Sequence, residues 1–386
     1  MTGALQGLLV LDFSTLLPGP MATLFLADAG AEVIKVERLG RGEEMRAYAP
    51  KWGEDSANFS MLNRGKKSIA LDLKSDADRA RLQPLIAKAD IIVEQFRPGV
   101  MARLGLGYED VRKVNPDIVY CSITGYGQSG PKQAVAGHDL NYIGDTGLLA
   151  LSRGTEATPV IPPALIADIA GGTYPAVLNI LLALRERDRS GVGAHLDIAM
   201  SDNLFPFLYW ALGEGQVTGQ WPGSGDALVT GGSCRYRLYP AADGRLVAVA
   251  ALEQKFWDVF TETIGLESDL RDDEKAPEDT TRRVAEILGS KPSDHWHAIF
   301  AKADCCCSIV RTADEAMADA HFAARGVFGQ RLTNEAGETI AALPTPICDG
   351  LRGNLGMALS SPRLGEHNEE ILDRNDPASR SDGGCR

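Results

Sequence analysis

Leu8-Leu9-Val10-Leu11-Asp12-Phe13, Leu17-Pro18-Gly19-Pro20, Met21 to Ala29, Gly30, then Ala31-Glu32-Val33-Ile34-Lys35-Val36-Glu37: this opening stretch decides the fold. A short apolar run ends at a Pro-rich turn that can start a helix, a helical pattern closes at a glycine, and a second apolar run follows. The reading is a βαβ unit. The alternation continues with a strand near Ser68 to Leu73, a helix from Asp76 to Ala89, a strand at Ile91 to Glu94, a helix pair ending near Val114 and a strand at Ile118 to Thr124. Strands and helices in this order predict a doubly wound α/β sheet with ligands at the carboxyl ends of its strands. From about Pro222 to Ala324 a separate run of strands and helices (Arg245 to Ala251, Trp257 to Ile264, Thr281 to Leu288, Asp294 to Ala303) predicts a smaller α/β domain.

Composition narrows the function classes. The 386 residues are 44% hydrophobic and 24% charged, an ordinary globular balance. The net charge of −13 argues against nucleic acid or an acidic membrane surface as partner. No window reaches the ~18 consecutive apolar residues of a membrane span and no basic leader precedes the first strand, so a cytoplasmic protein is expected. Seven cysteines, three adjacent at Cys305, Cys306 and Cys307, make no disulfide framework and no zinc spacing. Reduced thiols and no metal are expected. Within this acidic chain Arg38, Arg41, Arg46, Lys51, Arg64, Lys66, Lys67 and Lys74 cluster early, which is either a solvated basic face or a cluster that a small polyanionic ligand would use.

Two titratable groups stand out beside glycines. Gly137-His138-Asp139-Leu140-Asn141-Tyr142 and Ala167-Asp168-Ile169-Ala170-Gly171-Gly172 each fall between an extended segment and an apolar helical run. An imidazole and a carboxylate on either side of a carbon could take a proton from one face and return it to the other. Gly125-Tyr126-Gly127-Gln128-Ser129-Gly130 has dinucleotide-loop spacing, but Pro131 follows where a helix should, so it is not read as such a site. Arg38 closes the second strand, where these folds meet a nucleotide ribose; by position alone an arginine there suits a ribose phosphate or a surface ion pair equally.

The strings AGHDLNYIGDTGLLAL and LIADIAGGTYPAVLNILLAL resemble the active-site segments of α-methylacyl-CoA racemases, members of the class III coenzyme A transferase (CaiB/BaiF) superfamily. The segments NRGKKSIALDLK (63–74), EQFRPGV (94–100) and PRLGEH (362–367) resemble the same family, so the likeness runs from about residue 5 to residue 372. It implies an acyl-CoA substrate and no separate cofactor. Coenzyme A would lie on Arg38, Leu71, Asp72, Leu73, Lys74, Gln95, Phe96, Arg97 and Arg103. His138 and Asp168 would exchange the proton beside the thioester carbonyl, and Glu253 would orient the histidine. Gly137, Asp139, Asn141 and Tyr142 would surround the thioester, with the Asp139 N–H on its oxygen. In the transferases of the superfamily the aspartate is instead a covalent nucleophile and the histidine is dispensable.

The resemblance also implies a large Rossmann-like domain built from both chain ends and an interlocked homodimer, in which Glu253 reaches the site from the other chain. The expected boundaries are 1–200 for the first part of the large CoA-binding domain, 201–224 for a linker, 225–325 for the small domain, and 326–386 for the return to the large domain and a loose tail.

Overall fold

A computed structural model describes residues 3–354 and 358–373. The loose tail expected over the last dozen residues lies outside them. The chain divides into two compact units: one runs to Thr146, resumes over Ala164–Pro206 and again from Ala320, and the other comprises Gly147–Pro163 and Phe207–Asp319.

The first unit is built on six strands: β1 (Leu9–Asp12), β2 (Glu32–Glu37), β3 (Lys67–Ala70), β4 (Ile91–Glu94), β5 (Val119–Thr124) and β6 (Ala194–Ala199). All pair in parallel, in the spatial order β3-β2-β1-β4-β5-β6. This is the doubly wound order, whose direction reverses between β1 and β4 and leaves a crevice at the carboxyl ends. Both faces are covered, as parallel sheets require. One face carries Leu11, Ile34, Ile69, Ile92 and Tyr120, packed with Leu82 and Leu85 of the helix Asp76–Ile86. Helix α1 (Pro18–Asp28) has Pro18 at its first position and every residue buried. The chain end completes this unit: the His367 N–H donates to Ser68 O at 3.0 Å and the Ala70 N–H donates to Asn368 Oδ1 at 2.8 Å.

Helix α2 (Asp139–Asp145) and a π-helical turn, Ala167–Thr173, lead into α3 (Tyr174–Ser190). The stretch Ala167–Ser190 is long and apolar enough, by length and composition, to cross a membrane, which corrects the sequence expectation. Its buried residues Ala176, Ile180 and Leu184 recur at helical spacing and the helix packs on β5 and β6, which gives an apolar helix a structural use within the fold.

Segment 201–224, expected as a linker, is largely helical, and the boundary between the two units falls inside it, between Pro206 and Phe207. It holds a 3₁₀ helix (Asp202–Leu208) and an α-helix (Tyr209–Thr218) that ends on left-handed Gly219. Pro206 lies inside the 3₁₀ helix, and Gly219 supplies the left-handed residue that closes the α-helix. Gly147–Pro163, expected in the large domain, belongs to the second unit. That unit has a three-stranded antiparallel sheet, Tyr236–Pro240, Leu246–Ala250 and Cys307–Ile309, with Leu246–Ala250 central. The helices Gln254–Ile264, Pro277–Gly289 and Ser293–Phe300 bring Trp257, Phe260, Val284 and Trp296 into one core with Val247 and Val249.

Candidate active site

The loops after β1, β4, β5 and β6 enclose a cleft of about 400 Å³, whose walls include Leu16, Gln95, Phe96, Arg97, Gly125, Tyr126, Gly137, His138, Asn141, Tyr142, Asp168 and Met200. His138 is the residue before α2, with extended backbone. Its N–H donates to Asn141 Oδ1 at 3.0 Å, and its carbonyl accepts the Asn141 N–H at 2.8 Å. This reciprocal bonding fixes where the imidazole leaves the backbone. Tyr142, buried one turn on, donates its hydroxyl to Gly137 O at 2.6 Å. Its ring lies against both glycines of the loop: a Cβ would stand 2.5 Å from the ring at Gly125 and 2.7 Å at Gly137. Glycine is needed at these positions for close approach.

Asp168 sits inside the helical backbone of the π turn, not in a loop before a helix. Such turns alter the side-chain register of a helix and recur at functional sites. Burial pushes the Asp168 carboxyl up to about 7, helped by the nearby charge of Asp139. Proton exchange at neutral pH needs an acid tuned in this way. The sequence reading gave Asp139 only a backbone role. Its buried carboxylate accepts the Asp168 N–H at 3.0 Å; burial pushes the Asp139 carboxyl above its ordinary value, against the amides of Asp168, Ala167 and Ile166, which favour its ionised form.

A second cavity of about 650 Å³ opens after β1, β2 and β3, with Phe13, Ser14, Arg38, Glu43, Leu71, Asp72, Leu73 and Lys74 in its walls. Phe96 is the one lining residue the two cavities share among the described residues. Six of the nine residues named for coenzyme A therefore meet in this cavity: Arg38, Leu71, Asp72, Leu73, Lys74 and Phe96. Gln95 and Arg97 lie instead in the cleft with His138 and Asp168, where Gln95 Oε1 also accepts the Gly19 N–H at 3.1 Å. Arg103, exposed on the short helix Val100–Arg103, lines neither. Glu253 lies in the second unit, exposed, just before the helix Gln254–Ile264.

Three of the eight members of the early basic cluster are structural, which corrects the reading that the cluster as a whole serves a ligand. Arg46 pairs with Glu37 at 2.7 Å, Arg64 with Asp28 at 2.7 Å and Lys66 with Asp12 at 3.1 Å, all in the interior. Buried cations require such partners. Arg38 and Lys74 line the larger cavity. Arg38 is exposed, its Nε donating to Gly42 O at 2.7 Å and its guanidinium 3.1 Å from Glu44. Sequence reading also missed Glu94 at the end of β4. It accepts the Phe96 N–H at 2.8 Å, and burial pushes its carboxyl up to about 7.

This arrangement of a doubly wound sheet, a nucleotide-sized cavity and an acid–imidazole cleft has counterparts among known proteins. Residues 5–368 match the family described as CoA-transferase family III. The chain belongs to this family. It is 33% identical to the human α-methylacyl-CoA racemase over 374 residues, 96% of this chain and 93% of that protein. It is 35% identical to the acetyl-CoA:oxalate CoA-transferase of Acetobacter aceti over 313 residues, 78% of this chain and 79% of the relative. A crystal structure of a CaiB/BaiF family protein from Brucella suis superimposes with a TM-score of 0.82 at 28% identity, covering 97% of this chain and 100% of the other. Membership in CoA-transferase family III thus goes with a fold shared along nearly the whole chain.

Proposed function

We propose that this member of the family is a racemase that inverts the α-carbon of 2-methylacyl-CoA thioesters. The observation that carries the reading is that His138 and Asp168 line one cleft. The nucleotide of coenzyme A would occupy the larger cavity over Arg38 and residues 71–74. The chain of the ligand would pass Phe96 and present its thioester to the smaller cleft. In one direction the neutral imidazole of His138 takes the α-proton, the C–H electron pair moves into the C–C bond, and the thioester oxygen becomes an enolate oxygen. The Asp139 N–H, at the open end of α2, is the donor assigned to that oxygen. The protonated Asp168 carboxyl then delivers its proton to the opposite face of the α-carbon, leaving imidazolium and carboxylate. The reverse direction restores the starting pair, and no metal or separate cofactor enters the balance.

The homodimer is proposed as well, with Glu253 from the partner subunit orienting His138. The exposed apolar side chains Tyr174, Leu178 and Leu182 on α3 support an interface. A cytoplasmic location fits an acyl-CoA substrate.

A second reading, a coenzyme A transferase with Asp168 as nucleophile, is favoured by the likeness to the acetyl-CoA:oxalate CoA-transferase. The deciding experiment incubates the protein with one epimer of a 2-methylacyl-CoA in deuterated water, without an acceptor acid, and follows the α-carbon by NMR. Deuterium uptake with growth of the other epimer is expected. An unchanged α-proton, with turnover only after a carboxylate acceptor is added, would replace the racemase by the transferase.

A further inference from the structure

The two groups of the proposed proton-transfer pair come from segments far apart in sequence, and one side chain ties them together. Asp139 directly follows His138 and begins α2, and its carboxylate faces away from that helix's own backbone toward the start of the π turn. There Oδ1 accepts the Asp168 N–H at 3.0 Å. The residue is only 6% exposed, so water does not substitute readily for this contact. We propose that the Asp139 carboxylate is the positioning group of the site: it clamps the turn bearing Asp168 to the helix that follows His138.

The inference rests on the proton-transfer reading for its role in catalysis, and on geometry alone for the clamp. The groups around Asp168 are few. Asp139 and Tyr142 approach from α2, His138 from the residue before it, and Arg97 from the loop after β4. Burial is the larger cause of the raised Asp168 carboxyl and Asp139 the second. A like charge close to a carboxyl favours its protonated form. The same side chain therefore fixes where Asp168 stands and which proton state it prefers.

The test separates these two effects. Asp139→Asn keeps an oxygen that can accept the amide but removes the charge, whereas Asp139→Ala removes both. The Asp168 carboxyl is titrated by ¹³C NMR in otherwise wild-type protein, with Asp168→Asn identifying its resonance. In Asp139→Asn the midpoint should fall by about one unit, and Asp139→Glu should restore it toward the wild-type position. In Asp139→Ala, kcat for epimerisation should fall at least about tenfold beyond the Asn variant while KM stays within about twofold, the pattern of a misplaced transition-state group. If Asp139→Asn does not fold, Asp139→Ser, which also offers an acceptor oxygen, carries the same titration. An unchanged midpoint in the folded charge-free variant overturns the electrostatic part, and equal kcat in the Asn and Ala variants overturns the clamp. Absence of α-proton exchange in the wild-type protein would sink the racemase reading instead, and the titration would still decide the placement of charge.

Discussion

Asp168 is an acid stored partly out of water, and this has a consequence for stability as well as for chemistry. Its folded pKa of about 7 lies above the ordinary 3.8, so the native state holds this proton more tightly than the unfolded chain. The associated stabilisation is complete below about pH 4 and is lost as pH rises toward 7. Asp168→Asn should therefore unfold at higher denaturant than wild type above pH 7, by on the order of 2–4 kcal/mol, with the difference gone near pH 4. The same variant should lose epimerisation. His138→Ala should lose roughly 10²–10⁴-fold in the rate of α-proton exchange, measured by deuterium uptake, whereas covalent transfer through Asp168 alone would survive it. His138 and Asp168 were legible because glycines flank a titratable group between extended and helical patterns. The Asp139 carboxylate was not, since nothing local says that residue 139 meets residues 166–168. Arg46, Arg64 and Lys66 misled because a basic side chain reads the same whether it faces a ligand or a buried acid.

Elements were legible where burial imposes a period. β1, β2 and β4 are short apolar runs between breakers, and they stand where the pattern put them. The π turn was hidden, because its register depends on tertiary contact: Gly171 lies so close to Met200 O that a Cβ would meet it. The helices over 202–218 were hidden by Pro206 and their glycines. Two tests belong to this scale. Tyr142→Phe removes the hydrogen bond that pins the loop carrying His138 and should cost about 1–2 kcal/mol in denaturant unfolding, with a fall in kcat and little change in coenzyme A binding. Beneath the larger cavity, Lys66 donates to Asp12 and Lys35 stands 2.7 Å from Glu43. Asp12 titrates well below the usual carboxylate range, because the opposing charges of Lys35 and Lys66 and hydroxyl bonds outweigh its burial. Its contribution is present above the ordinary carboxylate pKa and lost as pH falls through the lowered value. Lys66→Met leaves Asp12 short of a partner and should destabilise the first unit by roughly 3–5 kcal/mol at neutral pH.

For the whole molecule, the doubly wound class follows from the order of strands and helices, whereas the use of both chain ends in the large unit was carried by the family resemblance alone. The division at Thr146 and Ala164 was not readable, because membership of a unit is a matter of long-range contact. Oligomeric state is testable at this scale. Leu178 and Leu182 are 58% and 59% exposed on α3, and pairing of two chains over them predicts a dimer in sedimentation velocity that Leu178→Asp with Leu182→Asp converts to monomer. Phe96 bears on the design of inhibitors. Because this ring lines both the larger cavity and the cleft that holds His138 and Asp168, each can be filled by its own small fragment, and a tether bent around the ring would make the second docking event intramolecular. Weak fragments joined at the correct span would then gain potency through effective concentration, without any new contact to the protein.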